Sequence, residues 1–228
     1  MTEKKLGVFK QAVKASQEAS NAIRVETDGI VIHEFSDYES YRDVQIAGNK
    51  AKLGRQFVKN SHIEALAQYL DTNYGPVSFG LCHGTRGGRE QKWFRRKLTG
   101  NPEVIGTEIS DTATQFENTV QWDFHDENPK WKARADFVYS NSWDHAYDPK
   151  KLFTAWARSL KSGGLMLLDH TKGHRPEAAN ALDPFGATIE ALQALLEKDL
   201  RRFGKVHEII DLSKMKDYPA QVLVWRRN

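Results

Sequence analysis

The chain has 228 residues, of which 39% are hydrophobic and 11% aromatic, and its 33 basic and 30 acidic side chains give a formal net charge of +3. This composition excludes a chain that is disordered throughout, and no apolar run approaches the roughly 18 residues that a membrane span needs. One cysteine, Cys82, excludes an internal disulfide and a cysteine-rich zinc site, so we expect a reducing, cytoplasmic setting. The small net charge gives little support for a nucleic acid as partner, and no membrane partner is expected.

Residues 1–75 are predicted to form an N-terminal extension that is mostly helical. Apolar residues recur at helical spacing within residues 1–20 and again within residues 49–74, after which Asn, Gly and Pro predict the end of the helix. After this point short apolar runs that predict strands begin to alternate with helical patterns, so residues 76–228 are predicted to form a separate ligand-binding domain.

From residue 76 onward, predicted strands alternate with predicted helices. The strands cover residues 77–81, 101–109, 119–124, 136–141, 165–169, 206–212 and 221–227, and the helices cover residues 86–98, 111–117, 149–161 and 187–203. This alternation predicts an α/β fold with a mostly parallel, seven-stranded sheet. No helix separates the last two strands, which therefore predict an antiparallel closing pair. Ligands of such sheets bind beyond the carboxyl ends of the strands, so the residues that follow each strand are the candidates for chemistry.

The first of these strands leads into a glycine-rich segment that runs from Gly80 to Gly88. The dinucleotide fingerprint G-x-G-x-x-G fails there, and the chain has no G-K-[ST] phosphate loop, so a pyrophosphate ligand is disfavoured. Gly80, Cys82 and Gly84 match a looser turn of alternating small residues. The next strand ends in Glu108, 24 residues after Gly84, where an acidic side chain can accept hydrogen bonds from ribose hydroxyls. The alternative is a tight strand–helix turn followed by an exposed glutamate.

The turn and Glu108 resemble those of the class I S-adenosylmethionine-dependent methyltransferases, and the order of the later segments extends the resemblance over about residues 75–228. It implies a Rossmann-like methyltransferase sheet with an antiparallel last strand, and it implies that residues 1–75 form a lid or substrate cap. It also implies S-adenosylmethionine as cofactor and S-adenosylhomocysteine as product. The family's acidic residue two positions before the first turn glycine is replaced here by Ser78.

The same resemblance assigns residues to the cofactor. An acidic residue after the third strand, here Asp123, meets the adenine amino group in this family, and an apolar neighbour, here Phe124, covers the ring. The full set of implied cofactor residues is Gly80, Cys82, His83, Gly84, Thr85, Glu108, Ile109, Asp123, Phe124, Asn141 and Trp143.

A base is needed when the methyl acceptor is a hydroxyl or a protonated amine. His145 follows the fourth predicted strand and is the first candidate, because an unperturbed histidine titrates near neutral pH. Asp169 and His170, at the end of the fifth strand, are the second. The alternative for His145 is a helix-capping or packing role, and the alternative for Asp169 and His170 is hydrogen bonds to a polar acceptor. A magnesium site built from Asp144, Asp169 and His170 is the less favoured interpretation, so no metal is predicted. Acceptor contacts are predicted for Tyr41, Arg42, Asp144, His174 and Arg175, and the insertion 171–186 is expected to line the acceptor pocket.

The predicted function is methyl transfer from S-adenosylmethionine to an oxygen or nitrogen atom of a small polar acceptor, such as a sugar, a natural product or a metabolic intermediate. One alternative is a methyltransferase of nucleic-acid bases, but the segment Ser140–Trp143 lacks both prolines of the [DNS]-P-P-[YFW] motif. Another is a binding protein that keeps the fold without the activity. A homodimer is left open.

Overall fold

The computed structural model describes residues 21–228, so the helix predicted within residues 1–20 lies outside the described part of the chain. The strands are β1 (Ile23–Thr27), β2 (Ile30–Glu34), β3 (Phe79–His83), β4 (Glu103–Glu108), β5 (Thr119–Gln121), β6 (Ala135–Ser140), β7 (Leu160–His170), β8 (Phe185–Ala187), β9 (Gly204–Leu212) and β10 (Ala220–Arg227). The α-helices are α1 (Tyr38–Lys52), α2 (Asn60–Asn73), α3 (Arg89–Lys97), α4 (Pro149–Ser159) and α5 (Ile189–Asp199).

The main sheet has seven strands in the order β5-β4-β3-β6-β7-β10-β9. The first five pair in parallel, and β10 runs antiparallel to both β7 and β9. The predicted mostly parallel sheet with an antiparallel closing pair is therefore confirmed. Every residue of β3 and of β6 is buried, as expected for central parallel strands covered on both faces.

Helices cover both faces of this sheet and divide its core in two. On one face, α2 and α3 pack against a cluster that includes Phe94 and Phe137. On the other face, α4 and α5 pack against a cluster that includes Trp156 and Trp225. Neighbouring residues of one strand point to opposite faces, so Leu165 belongs to the first cluster and Met166 to the second. Within the described residues, no helix is both long and apolar enough to cross a membrane.

Between residues 21 and 75 the structure has helices α1 and α2, and it also has two strands that the prediction of a mostly helical extension did not include. Strands β1 and β2 form a hairpin, and β2 pairs with β8 to complete a small antiparallel sheet. The helical pattern predicted within residues 49–74 matches α2 but is interrupted, because α1 ends at Lys52 and α2 begins at Asn60. Hydrophobic periodicity missed α1 because three of its six buried residues are Gln45, Asn49 and Lys52.

Candidate active site

A turn after β3 forms the floor of the candidate site. The backbone at Gly84 has a φ of +72°, and a Cβ there would lie 2.6 Å from Cβ of Ser142, so only glycine fits. The backbone N–H groups of Gly84 and Thr85 donate to the carbonyl of Thr107 at 2.9 and 3.1 Å. These contacts hold the turn between the ends of β4 and β6.

The prediction that Gly80 lies in this turn is wrong, because β3 continues to His83. Gly80 is an interior strand residue, where a Cβ would lie 2.2 Å from the ring of Phe137. Cys82 and His83 are buried in the same strand, and Thr85 is buried in the turn. None of the four predicted residues Gly80, Cys82, His83 and Thr85 lines either of the two clefts described below.

Ser78 lies just before β3, at the edge of the sheet opposite the turn. Its backbone N–H and its hydroxyl both donate to Oδ2 of Asp136, at 2.7 and 2.8 Å. The lack of a carboxylate at Ser78 therefore has no bearing on the glycine turn.

A first cleft opens beyond the carboxyl ends of β3, β4 and β6. Helix α1 contributes one wall, and the residues that follow the strands contribute the other. The lining residues are Tyr41, Gln45, Asn49, Lys52, Gly84, Arg86, Thr107, Glu108, Ile109, Trp122, Phe124, Ser142 and His145. Four of the predicted cofactor residues, Gly84, Glu108, Ile109 and Phe124, are thus brought together here.

Glu108, the last residue of β4, is only 8% exposed. Its Oε1 accepts a hydrogen bond from the backbone N–H of Ser110 at 3.3 Å, which leaves the carboxylate with lone pairs for a ligand. Burial raises the pKa of Glu108, and the nearby guanidinium of Arg86 opposes that shift. Ile109 and Phe124 add apolar surface to the same cleft. The cleft therefore offers a buried hydrogen-bond acceptor beside an apolar wall.

Helix α1 places a polar stripe over this cleft. Tyr41, Gln45, Asn49 and Lys52 are separated by four, four and three residues, so they share one face of the helix. The Tyr41 hydroxyl donates to the backbone carbonyl of His145 at 3.0 Å, which ties α1 to the turn after β6.

A second, more open cleft of about 1040 Å³ meets the first one. Lys52, Arg86, Ser142 and His145 line both clefts, and we call these four residues the junction. The remaining lining residues are Phe57, Asn141, Asp144, Thr171, Lys172, Gly173, His174, Asp183, Asp217, Tyr218 and Pro219. Part of the insertion 171–186 lines this second cleft.

His145 is held at the junction in one tautomer. The Gln45 side-chain amide N–H donates to the carbonyl of Leu182 at 3.1 Å, so its oxygen faces Nδ1 of His145 at 2.6 Å. Nδ1 therefore carries the ring proton, and Nε2 keeps its lone pair, 3.3 Å from Oδ1 of Asp183. Burial lowers the pKa of His145 to about 3, so the ring is neutral and presents the Nε2 lone pair.

Two carboxylates stand beside Nε2 of His145. Asp144, His145 and Asp183 each offer one atom, and these atoms all lie within 4.8 Å of one another. Burial, and then repulsion from Asp183, raise the pKa of Asp144 well above its ordinary value. Burial also acts to raise the pKa of Asp183, but Lys52, whose Nζ lies 3.5 Å from Oδ1, holds that pKa below its ordinary value.

This group is not the one considered above for magnesium. Among residues 21–228 it is the only set of three His, Cys, Asp or Glu side chains that converges so closely, and it contains Asp144 but neither Asp169 nor His170.

Asp169 and His170, the second candidates for the base, are held in buried contacts. Oδ2 of Asp169 accepts hydrogen bonds from the hydroxyls of Tyr139 and Tyr218 at 2.6 and 3.0 Å, and Oδ1 lies 2.8 Å from Nε2 of His62. Nε2 of His170 donates to a backbone carbonyl of β8 at 2.9 Å. Neither side chain lines a cleft, and Asp169 is fully buried.

Asp123 turns toward the N-terminal segment. Its Oδ2 accepts from the hydroxyl of Tyr38 at 2.7 Å, and its Oδ1 accepts from the backbone N–H and the ring of His125. Its neighbour Trp122 lines the first cleft instead. Trp143 is fully buried, and its indole N–H donates to the carbonyl of Asp169 at 2.6 Å.

The predicted acceptor residues divide between the clefts and the surface. Tyr41 lines the first cleft, and Asp144 and His174 line the second, as does Asn141. Nδ1 of His174 accepts from the backbone of Thr171, so its Nε2 donates to the carbonyl of Asn141 at 2.9 Å. The two remaining candidates, Arg42 and Arg175, line neither cleft.

Several cleft residues escaped the sequence-based prediction, namely Lys52, Arg86, Ser142 and Asp183. The four-, four- and three-residue spacing of the α1 stripe was the available signal for Lys52. Asp183 lies within the insertion that was expected to line the acceptor pocket. Arg86 and Ser142 carry no pattern of their own, since only the packing of two turns brings them together.

Solved structures of S-adenosylmethionine-dependent methyltransferases share this mostly parallel sheet with its antiparallel β10, so the fold that the resemblance implied is confirmed. Neither a protein-family model nor a curated protein matches the sequence.

Solved structures match the chain over most of its length. The 1,6-didemethyltoxoflavin-N1-methyltransferase of Burkholderia thailandensis, with 1,6-didemethyltoxoflavin and S-adenosylhomocysteine bound, superimposes with a TM-score of 0.64 at 14% identity; the match covers 91% of this chain and 100% of that one. The N-methyltransferase NodS of Bradyrhizobium japonicum, with S-adenosylhomocysteine bound, gives 0.56 at 12% identity over 80% of this chain and 98% of its own. The geranyl diphosphate C-methyltransferase of Streptomyces coelicolor, with Mg²⁺, geranyl diphosphate and S-adenosylhomocysteine bound, gives 0.54 at 12% identity over 97% of this chain and 98% of its own.

Proposed function

We propose that this protein is an enzyme that transfers a methyl group from S-adenosylmethionine to an oxygen or nitrogen atom of a small polar acceptor. The observation that carries the proposal is the meeting of two clefts at the junction residues Lys52, Arg86, Ser142 and His145. Methyl transfer requires two ligands whose reacting atoms face each other in line. Two clefts that meet at the junction residues would allow one ligand in each cleft to face the other.

The first cleft has the features that the cofactor requires. The bend at Gly84 leaves no room for a Cβ and brings backbone close to the cleft. Glu108 would accept hydrogen bonds from the ribose hydroxyls, and Ile109 and Phe124 would contact the adenine ring. S-adenosylmethionine, when bound, supplies a methyl group that its sulfonium activates. The protein's part is to bind both ligands, to align them and to keep water away.

His145 is the proposed base. Its neutral ring, with the proton on Nδ1, presents the Nε2 lone pair beside the second cleft, where an acceptor O–H or N–H would lie. The second cleft would hold the acceptor, with Asp144 and Asp183 as hydrogen-bond partners.

The solved structures support the same class of activity. Those of Burkholderia thailandensis and Bradyrhizobium japonicum hold S-adenosylhomocysteine, the product expected here, and the first also holds a small heterocyclic acceptor. The proposal therefore takes a small molecule rather than a nucleic acid as the acceptor, in a cytoplasmic setting, and it leaves a homodimer open.

The N-terminal segment would serve as the substrate cap in this proposal. Helix α1 supplies four lining residues of the first cleft, and Lys52 at its end also lines the second. A cap of this kind would exclude water from both ligands once they are bound.

Calorimetry with S-adenosylmethionine and S-adenosylhomocysteine tests the proposal. We expect both to bind, and Glu108→Gln to weaken S-adenosylhomocysteine by about 10- to 100-fold, because a hydrogen bond to a charged group contributes about 1.5–3 kcal/mol. The matched control is Glu103→Gln at the exposed start of β4, which removes only a surface ion pair with Arg134 and should leave the affinity unchanged. If neither compound binds the wild-type protein, the proposal is wrong.

A further inference from the structure

We infer that the methyl acceptor is an amino group, bound at the junction end of the second cleft by the side chains of Asp144, His145 and Asp183. This inference rests on the proposed function and narrows the acceptor from an oxygen or nitrogen atom to an amino nitrogen.

Three hydrogen-bond acceptors converge at the junction end of the second cleft. One carboxylate oxygen each of Asp144 and Asp183 and one ring nitrogen of His145 lie within 4.8 Å of one another. All three residues line the second cleft, and His145 also lines the first. A group placed among these atoms is therefore next to the first cleft, where the methyl donor would lie.

The surrounding protein leaves one of these acceptors without a hydrogen-bond donor. Asp144 is 8% exposed, and among the described residues its Oδ1 has no hydrogen-bond partner. Nε2 of His174 lies 3.9 Å from that oxygen, but its proton goes to the carbonyl of Asn141. Burial and the charge of Asp183 favour the protonated form of Asp144, and a cationic ligand that brings N–H groups would favour its carboxylate form and give the unpartnered oxygen a donor.

His145 and Asp183 present two acceptor atoms to each other. With the ring proton on Nδ1, the lone pair of Nε2 faces a carboxylate oxygen at 3.3 Å, and two acceptors at that distance repel each other. A donor placed between them removes the repulsion. Lys52 partly supplies one, since its Nζ lies 3.5 Å from Oδ1 of Asp183.

These requirements separate the classes of acceptor. An alkylammonium has three N–H donors, one for each of the three acceptor atoms. A hydroxyl has a single donor and would leave two of those atoms without one. A carboxylate or phosphate brings no donor and would be repelled by Asp183. The chemistry of the site therefore favours an amine over these other groups.

The same atoms account for the protons. The bound ammonium first loses one proton to water through the second cleft, and Nε2 of His145 relays that proton without keeping it, because burial lowers the pKa of the ring. The nitrogen lone pair then forms the new N–C bond while the C–S bond of the cofactor breaks and its electron pair stays on sulfur. The products are a neutral thioether and a methylated ammonium, which keeps two N–H donors for Asp144 and Asp183. The positive charges of Lys52 and Arg86 act to lower the pKa of the bound ammonium, whereas the carboxylate of Asp183 acts to raise it.

Matched probes test the inference on the full chain saturated with S-adenosylhomocysteine. Benzylamine, benzyl alcohol and benzoate share one ring, which suits a cleft lined by Phe57 and Tyr218, and they differ only in the polar group. Binding is measured by ligand-observed NMR and calorimetry. We expect benzylamine to bind at least about tenfold more tightly than the other two, and Asp183→Asn and Asp144→Asn each to weaken it by about tenfold or more. Asp43→Asn, the same change on the exposed side of α1, should leave binding unchanged.

Three results would overturn the inference. The first is binding of benzoate as tight as that of benzylamine, and the second is undiminished benzylamine binding in both cleft variants. The third is no amine binding together with tight Mn²⁺ binding that Asp183→Asn abolishes, which would make the group a metal site. Saturation with S-adenosylhomocysteine is measured first for every variant. Its failure in the wild-type protein counts against the proposed function, whereas saturation without amine binding counts against the inference alone.

Discussion

Replacement of Gly80 by alanine separates a packing role of this glycine from a role at the cofactor. A Cβ at position 80 would lie 2.2, 2.4 and 2.9 Å from three ring atoms of Phe137, whereas ordinary carbon contacts are about 3.5–4.0 Å. The ring is fully buried, and its centroid lies 4.8 Å from that of Phe94, so it has little room to move. Overpacking of this kind costs about 1–3 kcal/mol, which corresponds to a melting temperature lower by about 2–12 °C in a chain of this size.

Urea denaturation followed by tryptophan fluorescence measures this loss, and calorimetry measures the affinity of the folded variant for S-adenosylhomocysteine. We expect Gly80→Ala to lose stability while the folded fraction keeps its affinity. Adding Phe137→Leu should make the combined loss smaller than the sum of the two single losses, because the smaller side chain frees space for the new methyl group. Gly87→Ala is the control, since a Cβ there meets no atom within 4 Å. Unchanged stability together with an affinity weakened by about tenfold or more would refute the packing role.

Two further predictions concern buried polar groups. Burial lowers the pKa of His83 from 6.5 to about 3. As the pH falls between these two values, His83 binds a proton in the unfolded chain but not in the folded protein, so the free energy of unfolding decreases. His83→Asn should therefore reduce by about 2 kcal/mol the stability lost between pH 8 and pH 5, as measured by urea denaturation. Equal pH profiles for His83→Asn and wild type would contradict this. Asp169→Leu leaves His62, Tyr139 and Tyr218 without their buried acceptor and should lower the free energy of unfolding by about 3–5 kcal/mol. The exposed Asp126→Asn should cost less than about 1 kcal/mol, and a loss that small for Asp169→Leu would show that the buried network does not stabilise the fold.

The residues at the ends of strands were the part of the site that the sequence alone could locate. Apolar runs mark strands because burial selects them, and in a parallel sheet all strands end at the same edge. Glu108 and His145 could therefore be assigned to one region from their order in the chain, and both line the first cleft. The alternation of strands and helices likewise predicted the sheet and its antiparallel pair, since that pattern is local.

Local patterns did not resolve the ends of elements or the direction of side chains. Gly80 was placed in the turn because a glycine gives no sign of whether its neighbours continue a strand, and only the contact with Phe137 decides it. Asp169 was a candidate base because it ends a strand, yet that position does not reveal three partners from α2, β6 and the segment before β10. Side-chain direction depends on residues far away in the sequence.

The sequence by itself determined the α/β architecture, the edge of the sheet at which the first cleft opens, and the carboxylate that ends β4. Only the tertiary structure decided that a polar stripe of α1 closes the first cleft, that Gln45 sets the tautomer of His145, and that Asp183 stands beside that ring. Gln45 and His145 are 100 residues apart, and no periodicity links them. Hydrophobic burial produces sequence patterns within each strand and helix, and these patterns predict the fold. The site forms where segments distant in the sequence meet, so its geometry depends on how those segments pack.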